Sequence, residues 1–84
     1  MKKAAGQRVA EAIIIHMGYG KTVSYTELFS RIKGTQEQIE GAIASLIANG
    51  YTIEFEGAGS TGSEFGQRLT QKGRIAAKKL RGGR

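Results

Sequence analysis

Cysteine is absent from this 84-residue sequence, and so is aspartate. Without cysteine the chain forms no disulfide and offers no thiolate to a metal. Long apolar runs are missing too. The apolar stretch at residues 12 to 15 is too short for a signal-peptide core, and Arg8 and Glu11 interrupt the residues before it. We therefore expect a cytoplasmic protein with no membrane partner.

Residues suited to acid–base or nucleophilic chemistry are sparse. His16 is the single histidine, and we expect it to interact with a helix dipole or to fill a core edge. Glu54 and Glu56 are about 7 Å apart on one strand face, with no apolar neighbour to raise a carboxyl pKa. The serines lack a base and a group to orient it. The sequence predicts no enzyme, no catalytic residue, no metal site and no cofactor.

One glycine-rich stretch has the spacing of a phosphate-binding loop. Residues 57 to 62 read GAGSTG, which matches G-x-G-x-x-G. A dinucleotide site needs a helix directly after the glycines, because the helix N-terminus binds the pyrophosphate. An alternating strand pattern follows here instead. A kinase-type loop would need a catalytic aspartate, which the chain lacks. We interpret the stretch as a turn between two strands.

Positive charge is the most informative feature that is present. The formal net charge is +6. Residues 68 to 84 hold seven basic residues and no acid, whereas residues 1 to 67 hold six basic and seven acidic residues. This asymmetry favours a polyanionic partner, usually nucleic acid. The alternative is a solvated basic tail.

Three helices are predicted in the first half of the chain. The first runs from about residue 4 to 17, with an apolar face of Val9, Ala12, Ile13 and Met17. A brief extended piece follows at 21 to 23. Capping patterns at Ser24 and Thr35 then begin two further helices, which end near 33 and 49. Their expected inner residues are Leu28, Phe29, Ile32, Ile39, Ile43, Leu46 and Ile47.

The second half predicts a hairpin and one more helix. Tyr51, Ile53 and Phe55 alternate with polar residues, which is typical of a half-buried strand. A second strand covers residues 64 to 69, with Phe65, Gln67 and Leu69 on one face. Thr70 then caps a helix that continues to about Arg81, and residues 82 to 84 are expected to fray. The whole chain, residues 1 to 84, is predicted to form one α+β domain, ordered from about 4 to 81.

This order resembles the winged helix-turn-helix domain. The LIANGYTI segment at 46 to 53 looks like the end of a recognition helix that continues into a wing. The LTQKGR segment at 69 to 74 looks like the start of the last helix in MarR-like and PadR-like DNA-binding proteins. The resemblance covers roughly residues 4 to 81. It implies a three-helix core, a two-stranded β-hairpin wing and a C-terminal helix, with the second capped helix in the major groove of DNA.

The resemblance also implies a set of DNA-binding residues. Base or phosphate contacts would come from Thr35, Gln36, Gln38 and Ser45. Phosphate contacts would come from Lys21, Arg31, Lys33, Arg68, Lys72, Arg74, Lys78 and Lys79. The pattern departs from expectation on the groove-facing side of the second capped helix, which has two glutamates and neither lysine nor arginine. The tip of the hairpin also lacks a basic residue.

Two features leave the partner open. The second capped helix carries a stripe of small residues, which are Gly41, Ala44, Ser45 and Ala48. Three alternatives remain for this stripe: it contacts the DNA backbone, it contacts a helix of another protein, or it contacts nothing. The terminal helices build the dimer in MarR-like and PadR-like proteins, so Ile75 is a candidate contact with a second copy or another protein. The sequence predicts a small protein that binds double-stranded DNA, either a transcriptional regulator or an accessory factor of a mobile element. The alternative is a winged-helix module for protein contacts, and RNA binding is a weaker third reading.

Overall fold

The computed structural model describes residues 5–18, 22–59 and 62–82. Its elements are α1 (Ala5–Met17), β1 (Thr22–Ser24), α2 (Tyr25–Arg31), α3 (Gln36–Ala48), β2 (Thr52–Ala58), β3 (Glu64–Leu69) and α4 (Gln71–Gly82). The predicted order of helices and strands and the α+β class are confirmed. No helix in the described ranges is both long and apolar enough to cross a membrane.

The three strands form one antiparallel sheet in the order β1-β3-β2. The brief extended piece predicted near residue 22 is therefore a full member of the sheet, because Val23 pairs with Gln67 of β3. β2 and β3 form the predicted hairpin. Gly59 O accepts a hydrogen bond from Gly62 N at the hairpin tip, and both glycines have positive φ. The glycine-rich stretch thus joins two strands, as predicted, but Gly57 and Ala58 belong to β2 and the turn begins at Gly59. Residues 60 and 61 lie outside the described ranges.

Side-chain caps begin α2 and α3 where the sequence predicts them. Ser24 Oγ accepts a hydrogen bond from Glu27 N over 3.1 Å. Thr35 Oγ1 accepts from Gln38 N over 3.1 Å, and Gln38 Oε1 accepts from Thr35 N over 3.0 Å. Each cap satisfies N–H groups that have no partner inside the helix, and such a cap typically contributes about 1 kcal/mol.

The core lies where α1 packs against α3 and α4. Ile13 and Met17 of α1 and Leu28 of α2 have no solvent exposure. The full set of buried core residues is Val9, Ile13, Ile14, Met17, Val23, Leu28, Ile32, Ile39, Ala42, Ile43, Leu46, Leu69 and Ala77. Phe29 and Ile47 were expected inside but are exposed, and Ile14 and Ala42 are buried. Helical spacing alone does not distinguish the edge of an apolar face from its centre.

The expected inner face of β2 is wrong. Ile53 is 41% exposed, whereas Thr52 is buried with an exposure of 1%. Thr52 stands opposite Leu69 in the register, and the face that Leu69 shares is the one that meets the helices. Burial of the Thr52 hydroxyl is tolerated because Thr52 Oγ1 donates a hydrogen bond to Gln67 Oε1, which is also buried.

A dense set of hydrogen bonds joins the start of α4 to the end of α3. Thr70 N donates to Tyr51 O over 3.0 Å, and Thr70 Oγ1 donates to Gly50 O over 2.6 Å. The same hydroxyl accepts from Gly73 N over 3.1 Å, so it caps α4 as predicted. Lys72 Nζ donates to Asn49 O over 2.8 Å. We call these contacts the α3–α4 joint.

Gly73 permits the close approach at this joint. It is buried, and a methyl group at its Cα would overlap the carbonyl oxygen of Tyr51 and press on Leu69. Because the Tyr51 carbonyl belongs to the backbone, α4 would have to move away for a larger residue to fit.

We predict that Gly73→Ala lowers the free energy of unfolding by about 1–3 kcal/mol, the usual range for overpacking. Gly41→Ala is the matched control, since Gly41 is an exposed helical glycine with no atom within 4 Å of the added methyl. That change should raise stability by about 1 kcal/mol through helix propensity. Urea unfolding of both variants tests the pair. Equal effects of the two changes would contradict the close packing of Gly73 on Tyr51.

Candidate nucleic-acid interface

The basic face of α4 is the most strongly charged surface in the described residues. The helix carries five basic residues and no acid. Gly73 and Ala77 face the core, so Arg74, Lys78 and Lys79 project into solvent. Within the described ranges none of these three side chains has a hydrogen bond or an ion pair. Their positive charges are available to an external anion. We call Arg74, Lys78 and Lys79 the α4 cation cluster.

Arg68 and Lys72 were predicted to bind phosphate, but both also contact aromatic rings. Lys72 Nζ lies 4.6 Å from the centre of the Tyr51 ring while it donates to Asn49 O. The Arg68 guanidinium lies 5.0 Å from the centre of the Phe55 ring. Such cation–π contacts contribute about 0.5–1 kcal/mol at exposed sites. These two cations therefore help to hold the α3–α4 joint and the hairpin.

A second basic position lies in the turn between α2 and α3. Arg31 ends α2, and Lys33 follows two residues before the Thr35 cap; all three residues are exposed. The predicted site residues Arg31, Lys33 and Thr35 are thus neighbours at the start of α3. The remaining predicted phosphate ligand, Lys21, lies outside the described residues.

The polar residues of α3 that are predicted to contact DNA form hydrogen bonds within the helix or with its N-cap. Gln38 caps Thr35, and Gln36 Nε2 donates to Glu40 Oε2 over 3.1 Å. Asn49 Nδ2 donates to Ser45 O over 2.8 Å and to Ser45 Oγ over 3.4 Å. All of these side chains are exposed, but a base contact would compete with an existing hydrogen bond.

Acidic residues outnumber basic ones on α3 and on the hairpin of β2 and β3. The α3 sequence QEQIEGAIASLIA contains Glu37 and Glu40 and no basic residue. β2 carries two more acids, and β3 begins with another. Phosphate groups would be repelled by both surfaces. The positive charge is densest on α4, and further exposed cations are Arg31 and Lys33 around the α2–α3 turn, Arg68 of β3 and Arg8 of α1.

A groove between α1, α3 and α4 brings together predicted site residues from different helices. Its volume is about 710 Å³, which lies in the usual range for ligand pockets. Gln38 and Ser45 line one side, and Lys79 lines another. The remaining lining residues are Gly6, Gln7, Ala10, Glu11, Ile14, Glu37, Gly41, Ala42, Leu46, Asn49, Tyr51, Ala76 and Leu80.

A smaller groove lies on the other side of α3. It has a volume of about 380 Å³ and is lined by Tyr25, Phe29, Glu40, Ile43, Ala44 and Ile47. The exposed stripe of small residues on α3 lies between the two grooves, since Gly41 and Ser45 line the first and Ala44 lines the second.

His16 forms a polar contact that its position in the sequence does not reveal. His16 Nε2 lies 2.7 Å from Glu27 Oε2, and both side chains are part-buried. This contact ties the end of α1 to the first turn of α2. Among residues 5–18, 22–59 and 62–82, no group of three or more metal-ligating side chains is present.

A chain of side-chain hydrogen bonds links the core to the surface of the hairpin. Thr52 Oγ1 donates to Gln67 Oε1, and Gln67 Nε2 donates to the Tyr25 hydroxyl over 2.8 Å. The Tyr25 hydroxyl donates to Glu54 Oε2 over 2.9 Å. Burial, and then the hydrogen bond to the Glu54 carboxylate, raise the pKa of Tyr25 above its usual value. The sequence indicates this chain of hydrogen bonds only through Gln67, which is a polar residue at an inward position of β3.

No protein-family model, curated protein sequence or solved structure matches this chain.

We predict that alkaline pH weakens the fold through Tyr25. Because its pKa is raised in the folded state, the stabilisation is fully present below the unfolded value of 10.0 and is lost as pH rises through the folded value. Urea unfolding from pH 8 to pH 11 should show stability falling faster in the unsubstituted protein than in Tyr25→Phe. In Glu54→Gln, stability should still fall faster with pH than in Tyr25→Phe but less fast than in the unsubstituted protein, because burial is the larger cause of the raised Tyr25 pKa. Identical pH profiles for all three proteins would contradict the raised pKa of Tyr25.

Proposed function

We propose that this chain is a small winged-helix protein that binds duplex DNA mainly through phosphate contacts made by α4. The observation that carries the proposal is the α4 cation cluster, in which Arg74, Lys78 and Lys79 are exposed and without partners in the described residues. Lysine and arginine on one exposed helix face are the side chains that neutralise phosphates along a duplex.

The layout supports the winged-helix part of the proposal. Three helices, a short strand before the second helix and a hairpin before the last helix occur in the order that the domain has. The sheet order β1-β3-β2 places the hairpin beside that short strand. The capped α3 is exposed along the side that does not face the core, as a recognition helix would be.

The charge distribution supports binding by phosphates rather than by bases. α3 offers two glutamates, and its glutamines are engaged in intrahelical hydrogen bonds. Sequence-specific recognition requires hydrogen bonds to base edges, and such contacts would have to replace those bonds. Binding should therefore vary little with DNA sequence and should depend strongly on salt.

We predict that a variant with Arg74→Gln, Lys78→Gln and Lys79→Gln binds all duplex sequences more weakly. The slope of log K against log salt should become less steep by about 0.9 for each phosphate contact that is lost. Fluorescence anisotropy with two unrelated duplexes of equal length, at several salt concentrations, measures both quantities.

The control removes two exposed charges around the α2–α3 turn, with Arg31→Gln and Lys33→Gln. A smaller change in slope per charge removed in this variant supports α4 as the main contact. If instead the control loses as much affinity per charge as the α4 variant, DNA does not lie preferentially on α4. Unaltered binding by the α4 variant would overturn the proposal.

The groove between α1, α3 and α4 favours a second candidate function, which is a contact with another protein. Its lining includes the apolar residues Ala10, Ile14, Leu46 and Leu80, and small residues at its edge permit the close approach of a helix. An apolar contact of this kind should change little with salt, because screening acts on charges.

Substitution of the groove separates the two functions. Ala10→Trp, at a half-buried lining residue, would fill the groove without removing any basic charge. We predict that this variant keeps DNA affinity within about twofold, because no charge is removed and, of the α4 cation cluster, only Lys79 lines the groove. A large loss of DNA affinity in a folded Ala10→Trp variant would place the DNA in the groove itself.

A further inference from the structure

Phe65 and Ile75 are the most exposed large apolar side chains in the described residues. Phe65 of β3 is 54% exposed and Ile75 of α4 is 51% exposed. A single exposed apolar residue is ordinary on a protein surface. What distinguishes these two is the charge that surrounds them, which has opposite sign at the two positions.

Lysines accompany Ile75 on the exposed face of α4. Lys78 and Lys79 lie three and four positions after it, so they are its neighbours on the helix surface. Both lysines belong to the α4 cation cluster. Ile75 is therefore an apolar centre with a basic rim.

Carboxylates accompany Phe65 on the hairpin. Phe65 stands directly opposite Glu56 in the register of β2 and β3, and opposed residues of an antiparallel pair project to the same face. Glu54 lies two residues before Glu56 and shares that face. Glu56 has no hydrogen bond or ion pair within the described ranges. Phe65 is therefore an apolar centre with an acidic rim.

We propose that the two surfaces bind each other between copies of this chain, with α4 of one copy on the hairpin of the next. The arrangement would bury Ile75 against Phe65 and place Lys78 and Lys79 beside the carboxylates of Glu54 and Glu56. Each copy contributes a different surface, so the contact is head-to-tail. Self-association should therefore be strongest at low salt, where the charges are least screened.

The contact has a consequence for DNA binding that rests on the proposed function. Lys78 and Lys79 cannot neutralise a phosphate and a carboxylate at once. A duplex that occupies α4 would therefore displace the hairpin of the neighbouring copy, and free protein would associate more than bound protein.

Two blocked variants test the contact without DNA. Phe65→Ser with Glu56→Gln removes the hairpin surface, and Ile75→Ser with Lys78→Gln removes the helix surface. Sedimentation velocity should show unsubstituted protein forming larger species as concentration rises at low salt. Each variant alone should associate at least about tenfold more weakly. An equimolar mixture should form a one-to-one dimer, because each variant keeps the surface that the other lacks.

Charge reversal gives a second test that leaves both apolar residues in place. Glu56→Lys and Lys78→Glu should each weaken association alone, and mixing the two should restore it. Circular dichroism of every variant confirms that it is folded. Three results would overturn the proposal: an unsubstituted protein that stays monomeric at low salt and high concentration, a blocked variant that associates as the unsubstituted protein does, or a mixture that forms no dimer.

Adding a short duplex to the unsubstituted protein distinguishes the two proposals. Loss of the larger species on addition of DNA supports both. If the larger species persist and DNA does not bind at all, the proposed function fails while the head-to-tail contact stands. If DNA binds but the larger species are unchanged, the hairpin of one copy does not contact Lys78 and Lys79 of the next. The proposed head-to-tail contact is then wrong.

Discussion

The hydroxyl of Thr70 lies at the centre of the α3–α4 joint, where the most basic helix of this protein begins. It donates to Gly50 O, accepts from Gly73 N, and so joins the end of α3 to the start of α4. Lys72 adds a hydrogen bond to Asn49 O, which helps to satisfy the unpaired carbonyls that end α3. α4 carries the cation cluster. The orientation of α4 at the α3–α4 joint therefore decides which side of the molecule attracts anions. The glycine at position 73 permits the contact, since no side chain separates α4 from Tyr51.

The basic residues of α4 and the acidic residues of α3 lie on different helices. The acids of α3 and of the hairpin are remote in sequence from the basic residues of α4, and no ion pair within the described residues links the α4 cation cluster to them. An ion pair would have neutralised both surfaces at little gain, since exposed pairs contribute about 0–1 kcal/mol. Because these charges are unpaired, the electrostatic fields of the acidic surface and of the basic surface act on binding partners. Under the proposed function, a duplex would be drawn to α4 and repelled from α3.

Local chemistry explains why the element order was predictable. Ser24, Thr35 and Thr70 cap the helices that follow them, and each cap depends only on residues within one helical turn. Which residues are buried depends on the rest of the molecule. Ile53 fits a strand equally well with either face inward. The side-chain hydrogen bond between Thr52 and Gln67 allows Thr52 to be the buried residue, so Ile53 projects to the other face of the sheet. The role of Lys72 was likewise hidden, because its partner Asn49 lies 23 residues earlier in the chain.

The difference between a phosphate partner and a protein partner for α4 lies in Ile75. Both partners would attract the same lysines, and both contacts would weaken with salt, so charge alone does not separate them. A phosphate backbone gains little from an apolar side chain, whereas burial of an isoleucine against another protein contributes roughly 1.5–3 kcal/mol. An isoleucine at the centre of a cationic face is thus unexplained by DNA binding and explained by a protein surface with an apolar centre of its own. The hairpin face around Phe65 has both properties, an exposed apolar ring and a carboxylate rim.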